Sequence, residues 1–243
     1  LKAIILAAGQ GTRLMPLTKD IPKCMLEIKG RPIIQHQIDT LLEAGVRDIT
    51  VVVGHEGKDL SRFVTQFYRK NNISVIVNPF YKFTNSIVSL WLALRVYRSW
   101  SNSMLFINSD VMFNKKIIRK IINEDSNVAF VVDKKKCVDE DYKVITEKDT
   151  IVDMGKDLDN NSVAGEFIGI AKICGAFYVI PFIAKITSMV NNGEINSWFE
   201  TAFRRLTKDD IMFNIKACYT DGQYWTEIDT IEDYNNAKIH YEG

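Results

Sequence analysis

Residues 1–28 read LKAIILAAGQGTRLMPLTKDIPKCMLEI, and the fold turns on the first third of that stretch. KAIILAA is an unbroken small and aliphatic run, the pattern of a strand buried on both faces. It stops at AAGQGTR. Gly9 and Gly11 let a ligand approach the main chain closely. Successive free amides in such a loop form a nest for an anion. Arg13 lies within the loop, and Lys23 follows ten residues later, behind Pro22. A guanidinium and an ammonium beside one glycine loop can hold a polyphosphate and stabilise its leaving charge. Two other loop types are excluded. Leu14 stands where G-x-G-x-x-G needs its third glycine, and G-x-x-x-x-G-K-S/T is absent.

Beyond this stretch, short β-branched runs alternate with amphipathic ones. Residues 32–44 carry Ile33, Ile34, Ile38, Leu41 and Leu42 at helical spacing, with Gly45 as the stop. Strands are expected at 49–54, 73–77, 104–110 and 127–132. Helices are expected over 58–71 and from an Asn85–Ser86 cap to about Tyr97. The pattern predicts an α/β fold: a three-layer, Rossmann-like, mixed but mostly parallel sheet with helices on both faces. Residues 133–166 are more polar and read as hairpins or a small polar flap over the active-site crevice. A strand at 172–180, helices at 181–192 and 196–207, the segments IKACY and WTEID, and a last helix TIEDYNNAKI complete the chain. Ligands bind such sheets at the carboxyl ends of strands. Ala8–Gly9, Gly54 and Asp110 all fall there, so they should line one crevice.

The totals bound the partners. The chain has 243 residues, 47% of them hydrophobic and 25% charged, which suffices for a full core. A net charge of +1 gives no global field for nucleic acid or an anionic membrane, so any anion site must be local. Cys24, Cys137, Cys174 and Cys218 form no C-x-x-C pair and read as idle thiols in a reducing cytoplasm. His36, His55 and His240 are too scattered for a histidine metal site. No stretch approaches the roughly 18 apolar residues of a membrane span.

L-A-A-G-x-G-T-R-L-x-P-L-T followed by P-K resembles the signature of the sugar-phosphate nucleotidyltransferase superfamily. The likeness runs from Ala3 to Glu27 and continues through GRPII and EAGVRDI. It implies a single nucleotidyltransferase domain over 1–243. Residues 1–132 would form the nucleotide-binding half, 133–229 the acceptor-binding half with its flap, and 230–243 a C-terminal helix. Leu6, Ala7, Ala8, Gly9, Gly11, Thr12 and Arg13 would wrap a nucleoside triphosphate. Arg13 would serve the leaving pyrophosphate and Lys23 the phosphates where the new bond forms, as catalytic residues. Asp110, ending LFINSD, and Asp229, in WTEIDT, would hold Mg²⁺, which prefers carboxylates and phosphate oxygens.

NPFYKFTNSIVSLWLAL (78–94) resembles the choline-phosphate and phosphonate cytidylyltransferase branch of that superfamily. It implies that Asn85 and Ser89 meet the base and ribose, with Gly54 letting the flat base approach the main chain and His55 beside it. The acceptor would then be a small amine-bearing phosphate or phosphonate, such as phosphocholine or 2-aminoethylphosphonate, receiving CMP from CTP. An ammonium head needs carboxylates or aromatic faces. Asp133, Asp139, Asp141, Glu166 and the supporting Glu227 are the candidate carboxylates; Trp198, Phe199 and Tyr178 are the candidate faces. Lys134–Lys136 read as a solvated turn. The runner-up is transfer from CTP, UTP or dTTP to a sugar 1-phosphate or polyol phosphate. A homodimer, and a place within a longer fusion protein, stay open.

Overall fold

The computed structural model describes residues 1–96, 103–210 and 212–241. Strand β1 (Lys2–Ala7) runs into the glycine loop. The short antiparallel pair β2 (Glu27–Ile28) and β3 (Arg31–Pro32) then leads into α1 (Ile33–Glu43). Next come β4 (Asp48–Val53), α2 (Gly57–Phe67), β5 (Asn72–Val77) and α3 (Ser86–Val96). β6 (Met104–Asn108), β7 (Val111–Phe113) and α4 (Lys115–Asn123) follow, then β8 (Val128–Asp133), β9 (Lys143–Glu147), β10 (Thr150–Gly155) and β11 (Gly165–Ile173). The last elements are α5 (Ala176–Asn191), α6 (Glu200–Asp209), β12 (Ile215–Tyr219), β13 (Trp225–Glu227) and α7 (Ile231–His240).

Nine strands form one sheet in the order β5-β4-β1-β6-β11-β8-β12-β10-β9. The expectation of a mostly parallel sheet holds for β5-β4-β1-β6 and for β8-β12. It fails elsewhere, where β11, β10 and β9 run antiparallel to their neighbours. For β9 and β10 the reason is connection length. Parallel neighbours need a crossover of about a dozen residues, whereas antiparallel ones need only a tight turn. β9 and β10 are joined by Lys148 and Asp149, both at positive φ (48° and 66°), which suits a two-residue hairpin. The polar middle of the chain is therefore built into the sheet, and β9 returns to pair with the start of β11.

Alternation along the strands sends side chains to two faces. Ile4, Leu6, Phe106 and Phe130 pack with α3, α5 and α6, while Ala3, Ile5, Ile107 and Val131 pack with α1, α2 and α4. A third, small cluster joins Leu14, Leu26 and Ile28 to Ile228, Ala237 and Tyr241, linking the glycine-loop segment to α7.

Helix α1 ends as read: Gly45 takes φ 86° and Gly45 N–H donates to Leu42 O at 3.1 Å. The strand expected at 172–180 is a correction. β11 lies earlier, Gly175 turns the chain at φ 80°, and Ala176 already begins α5. Val179, Phe182, Ile183, Ile186 and Met189 form its buried face, a helical spacing that the apolar run KICGAFYVI masked. The helix read at 196–207 is α6, starting only at Glu200, and that at 58–71 stops at Phe67. Tyr97, the expected end of α3, lies outside the described residues.

Candidate active site

The glycine loop is held by its own chain. Gly11 sits at φ 61°, and its carbonyl accepts from Leu14 N at 2.9 Å and from Thr18 Oγ1 at 2.7 Å. A Cβ on Gly11 would come within 3.1 Å of Lys23 Cβ. The bare glycine thus lets the Lys23 stem lie against the loop, which explains how a lysine ten residues past Arg13 reaches the same place.

The carboxylates arrive from two distant segments. β6 ends at Asn108, and Asp110 lies in the turn to β7. β7 pairs antiparallel with β13, Val111 opposite Glu227, and Ile228 N–H donates to Asp110 O at 2.9 Å. Asp229 follows at once and is steadied by the α7 capping box, since Asp229 N–H donates to Asp233 Oδ2 at 3.1 Å. Lys23 Nζ bridges the two, 2.9 Å from Asp110 Oδ2 and hydrogen-bonded to Asp229 Oδ1. Arg13 pairs with Asp229 and, at 2.9 Å, with Glu140.

Burial alone would lower the Lys23 pKa, but Asp110 and Asp229 outweigh it and hold the ammonium above its ordinary value. Protein packed around Glu227, together with the Asp110 and Asp229 charges, pushes its carboxyl up. Asp110, Glu227 and Asp229 each offer one oxygen, all within 4.8 Å of one another. Asp110 Oδ1 is buried with no hydrogen-bond partner. Crowded carboxylates and an orphaned acceptor oxygen are a donor set that fits a hard divalent cation such as Mg²⁺.

These groups open on a cavity of about 350 Å³. Of the nucleotide residues expected from sequence, Leu6, Ala7, Ala8, Gly9, Gly11, Thr12, Arg13, Lys23, Asn85 and Ser89 line it, with Asp110, Asp229, Glu227 and Trp198. Ser89 Oγ accepts from Asn78 Nδ2 at 3.0 Å. Gly54 is a correction. The space against it is filled by protein, for a Cβ there would meet Ala8 O at 2.6 Å and Tyr81 Cβ at 2.7 Å. Gly54 seats the loop against Tyr81 and does not line the cavity. Gly54→Ala is therefore expected to lower Tm by several degrees, on the order of 2 kcal/mol of overpacking, in a thermal melt. His55 Nε2 lies 3.0 Å from Thr18 O, which ties its ring to the loop segment.

A smaller pocket opens beside the first and shares Asn108, Lys156, Trp198, Glu200 and Glu227 with it; Tyr142 and Glu166 line it too, beside the apolar Val111 and the 167–169 segment. Glu166 is 4% exposed and pairs with Lys135 at 2.6 Å; burial is the main cause that raises its carboxyl. Asp133, Asp139 and Asp141 do not reach either cavity. Asp133 accepts from Thr220 Oγ1, Asp139 from Asn160 Nδ2 at 2.7 Å, and Asp141 from Val138 N at 2.9 Å. Phe199 is fully buried 5.7 Å from the Phe106 ring, and Tyr178 packs on Phe213. The 134–136 turn is exposed yet engaged, with Lys134 over the Tyr219 ring at 4.0 Å and Lys135 paired with Glu166.

Sequence reasoning missed Tyr81, Asn108, Lys156 and Glu200. Glu200 is 4% exposed, and its Oε2 has no hydrogen-bond partner. Burial pushes its carboxyl up to about 7, against hydrogen bonding from Asn108 and the charge of Lys156. Only Glu200's place at the head of an amphipathic helix, just after Trp198, was visible in the sequence.

Residues 2–154 match the family described as nucleotidyl transferase. The choline-phosphate cytidylyltransferase of Streptococcus pneumoniae is 30% identical over 98% of this chain and 97% of its own length. The CTP:phosphoglutamine cytidylyltransferase of Campylobacter jejuni is 29% identical over 96% and 97%. The solved structure of the CTP:phosphocholine cytidylyltransferase from Streptococcus pneumoniae superposes with a TM-score of 0.81 at 25% identity, covering 98% of this chain and 97% of that one.

Proposed function

The chain belongs to the nucleotidyl transferase family, and from that premise we propose that it transfers CMP from CTP to a small phosphate or phosphonate bearing a cationic amine head, releasing pyrophosphate. Its likeness to two cytidylyltransferases over nearly the whole chain supports CTP and a phosphate-bearing acceptor. One observation carries the choice of head group. The side pocket that joins the main cavity presents Glu166, Glu200 and Glu227 together with the Trp198 and Tyr142 rings. Carboxylates and aromatic faces are what an ammonium needs. Lys156 Nζ lies 5.2 Å from the Trp198 ring centroid, so that ring already faces a cation. The single described cation of that wall, Lys156, also borders the main cavity, where it can meet the acceptor's phosphate.

In this reading one domain carries both halves: residues 1–132 take the nucleotide, 133–229 the acceptor, and the last helix braces Asp229. Residues 134–142, which reach Arg13 through Glu140, form a flap at the mouth. The acceptor phosphate has a second pKa of about 6 and arrives largely dianionic at neutral pH, so it needs no general base. In-line positioning and charge neutralisation remain. The loop amides and Arg13 hold the leaving pyrophosphate, and Lys23 holds the α-phosphate. Asp110 and Asp229, helped by Glu227, would hold Mg²⁺, which supplies further neutralisation of phosphate oxygens when bound.

The test is a panel of four nucleoside triphosphates against phosphocholine, 2-aminoethylphosphonate, phosphoglutamine and glucose 1-phosphate, read by pyrophosphate release. CTP with a cationic acceptor is the expected pair; preference for UTP or dTTP with glucose 1-phosphate overturns it. A pH series adds a sharper check. Glu200 is neutral below about pH 7 and charged above it, so a cationic head gains its partner as pH rises. The acceptor KM should fall by about tenfold between about pH 6 and about pH 8, the worth of one charge-assisted contact. Glu200→Gln should reduce that fall, while the effects of Glu227, whose carboxyl is itself pushed up to about 8, and of the acceptor's own phosphate titration persist in both enzymes.

A further inference from the structure

Gln37 lies on the inner side of α1, 1% exposed, far from solvent and outside both cavities. Its Nε2 donates to two main-chain carbonyls, Asn108 O at 3.0 Å and Val111 O at 2.8 Å. Those carbonyls flank Asp110. Asn108 is the last residue of β6 and Val111 the first of β7, so the amide spans the point where the chain leaves the main sheet. Ser109 N–H is tied to Leu6 O at 3.3 Å, and Asp110 O accepts from Ile228 N–H. Gln37 supplies the side-chain hydrogen bonds on both sides of Asp110.

A neutral primary amide suits this place. One nitrogen offers two N–H groups without bringing a charge into the core. A hydroxyl offers one donor, and an ammonium carries a charge whose burial is costly. The helix that holds the amide is anchored in its own core layer by Ile34, Ile38 and Leu41. Of the Asp110 carboxylate, Oδ2 is engaged by Lys23 and Oδ1 has no partner. Lys23 therefore sets the turn of the carboxylate, and the main chain that Gln37 grips sets where the carboxylate is carried.

We propose that Gln37 is a positioning residue for divalent-cation binding: by holding the carbonyls of Asn108 and Val111 it fixes the turn that presents the Asp110 carboxylate to the cation. The proposal rests on the reading of Asp110 as a metal ligand. Loss of a group that orients a ligating side chain weakens metal binding by about 10- to 100-fold.

The experiment titrates Mn²⁺ into wild type, Gln37→Met, Gln37→Glu, Ile38→Val and Asp110→Asn without nucleotide, and reads free Mn²⁺ by electron paramagnetic resonance. Gln37→Met should bind Mn²⁺ about tenfold more weakly, while its affinity for CTP without divalent cation, measured by calorimetry, stays at the wild-type value. Ile38→Val should lose thermal stability yet keep Mn²⁺ affinity, which separates positioning from general weakening of α1. A folded Gln37→Met with wild-type Mn²⁺ affinity overturns the proposal. If that variant does not fold, Gln37→Glu, which keeps at most one donor, decides it by the same readout. Loss of Mn²⁺ binding in Asp110→Asn with none in Gln37→Met sinks only the positioning role. Wild-type binding in Asp110→Asn sinks the ligand reading and the proposal with it.

Discussion

Replacing Lys23 with alanine should lower turnover by about a thousandfold in an enzyme that still folds. The lysine is 8% exposed, lies against Gly11 and bridges Asp110 and Asp229. In the proposed reaction an ammonium so placed would act where charge develops on the transferring phosphate, and losing one such contact costs about 10²- to 10³-fold. Because the contact belongs to the transition state, the loss should fall on kcat more than on KM for CTP. The same substitution has an opposite effect elsewhere. Without nucleotide, Lys23 is the counter-ion of the aspartates. Lys23→Ala should then bind Mn²⁺ more tightly than wild type when CTP is absent. Single-turnover kinetics and a Mn²⁺ titration check the two halves; near-normal turnover in the folded variant would sink the catalytic role.

Asp229→Asn should be comparably severe, again about a thousandfold in turnover. This carboxylate touches Lys23 and Arg13 at once and belongs to the three-oxygen cluster with Asp110 and Glu227. The amide keeps the shape but removes the charge that opposes both cations. Part of the loss should appear as a higher Mg²⁺ requirement, visible as a rightward shift in the activity curve against Mg²⁺ concentration. Asp133→Asn is the matched control. Its carboxylate, at the end of β8, accepts from Thr220 and lies outside both cavities, so turnover should stay close to wild type. Equal losses in Asp229→Asn and Asp133→Asn would mean that the cluster has no special part.

The first half of the molecule was legible because its signals are local. KAIILA, DITVVV and the glycine loop announce strand and turn within a few residues, and their order follows from strand–helix alternation. Lys23 was legible through spacing and kinship, and Gly11 supplies the steric reason afterwards. The second half was harder. KICGAFYVI is apolar throughout, and such a run has no period that separates a strand from a buried helix. The carboxylates expected at the proposed acceptor wall were misplaced for a related reason. Sequence displays the charges of Asp133, Asp139 and Asp141 but not their direction, and all three turn to partners nearby. Glu200 and Gln37 carry no motif at all. Their weight comes from burial and from main-chain atoms many tens of residues away.

The small third cluster sets an order of assembly. Leu14, next to Arg13, packs with Ile228, next to Asp229, and both rest on Ala237 and Tyr241. Arg13 and Asp229 are 216 positions apart, so the reactive centre closes only when the late residues dock on the early loop. A chain frayed at α7 holds a finished sheet and no closed centre. Such a small cluster should open at lower free energy than the two main cores. Rising denaturant should therefore abolish turnover while the far-ultraviolet dichroism of the sheet and its helices is still native, and amides of α7 should exchange before those of β1.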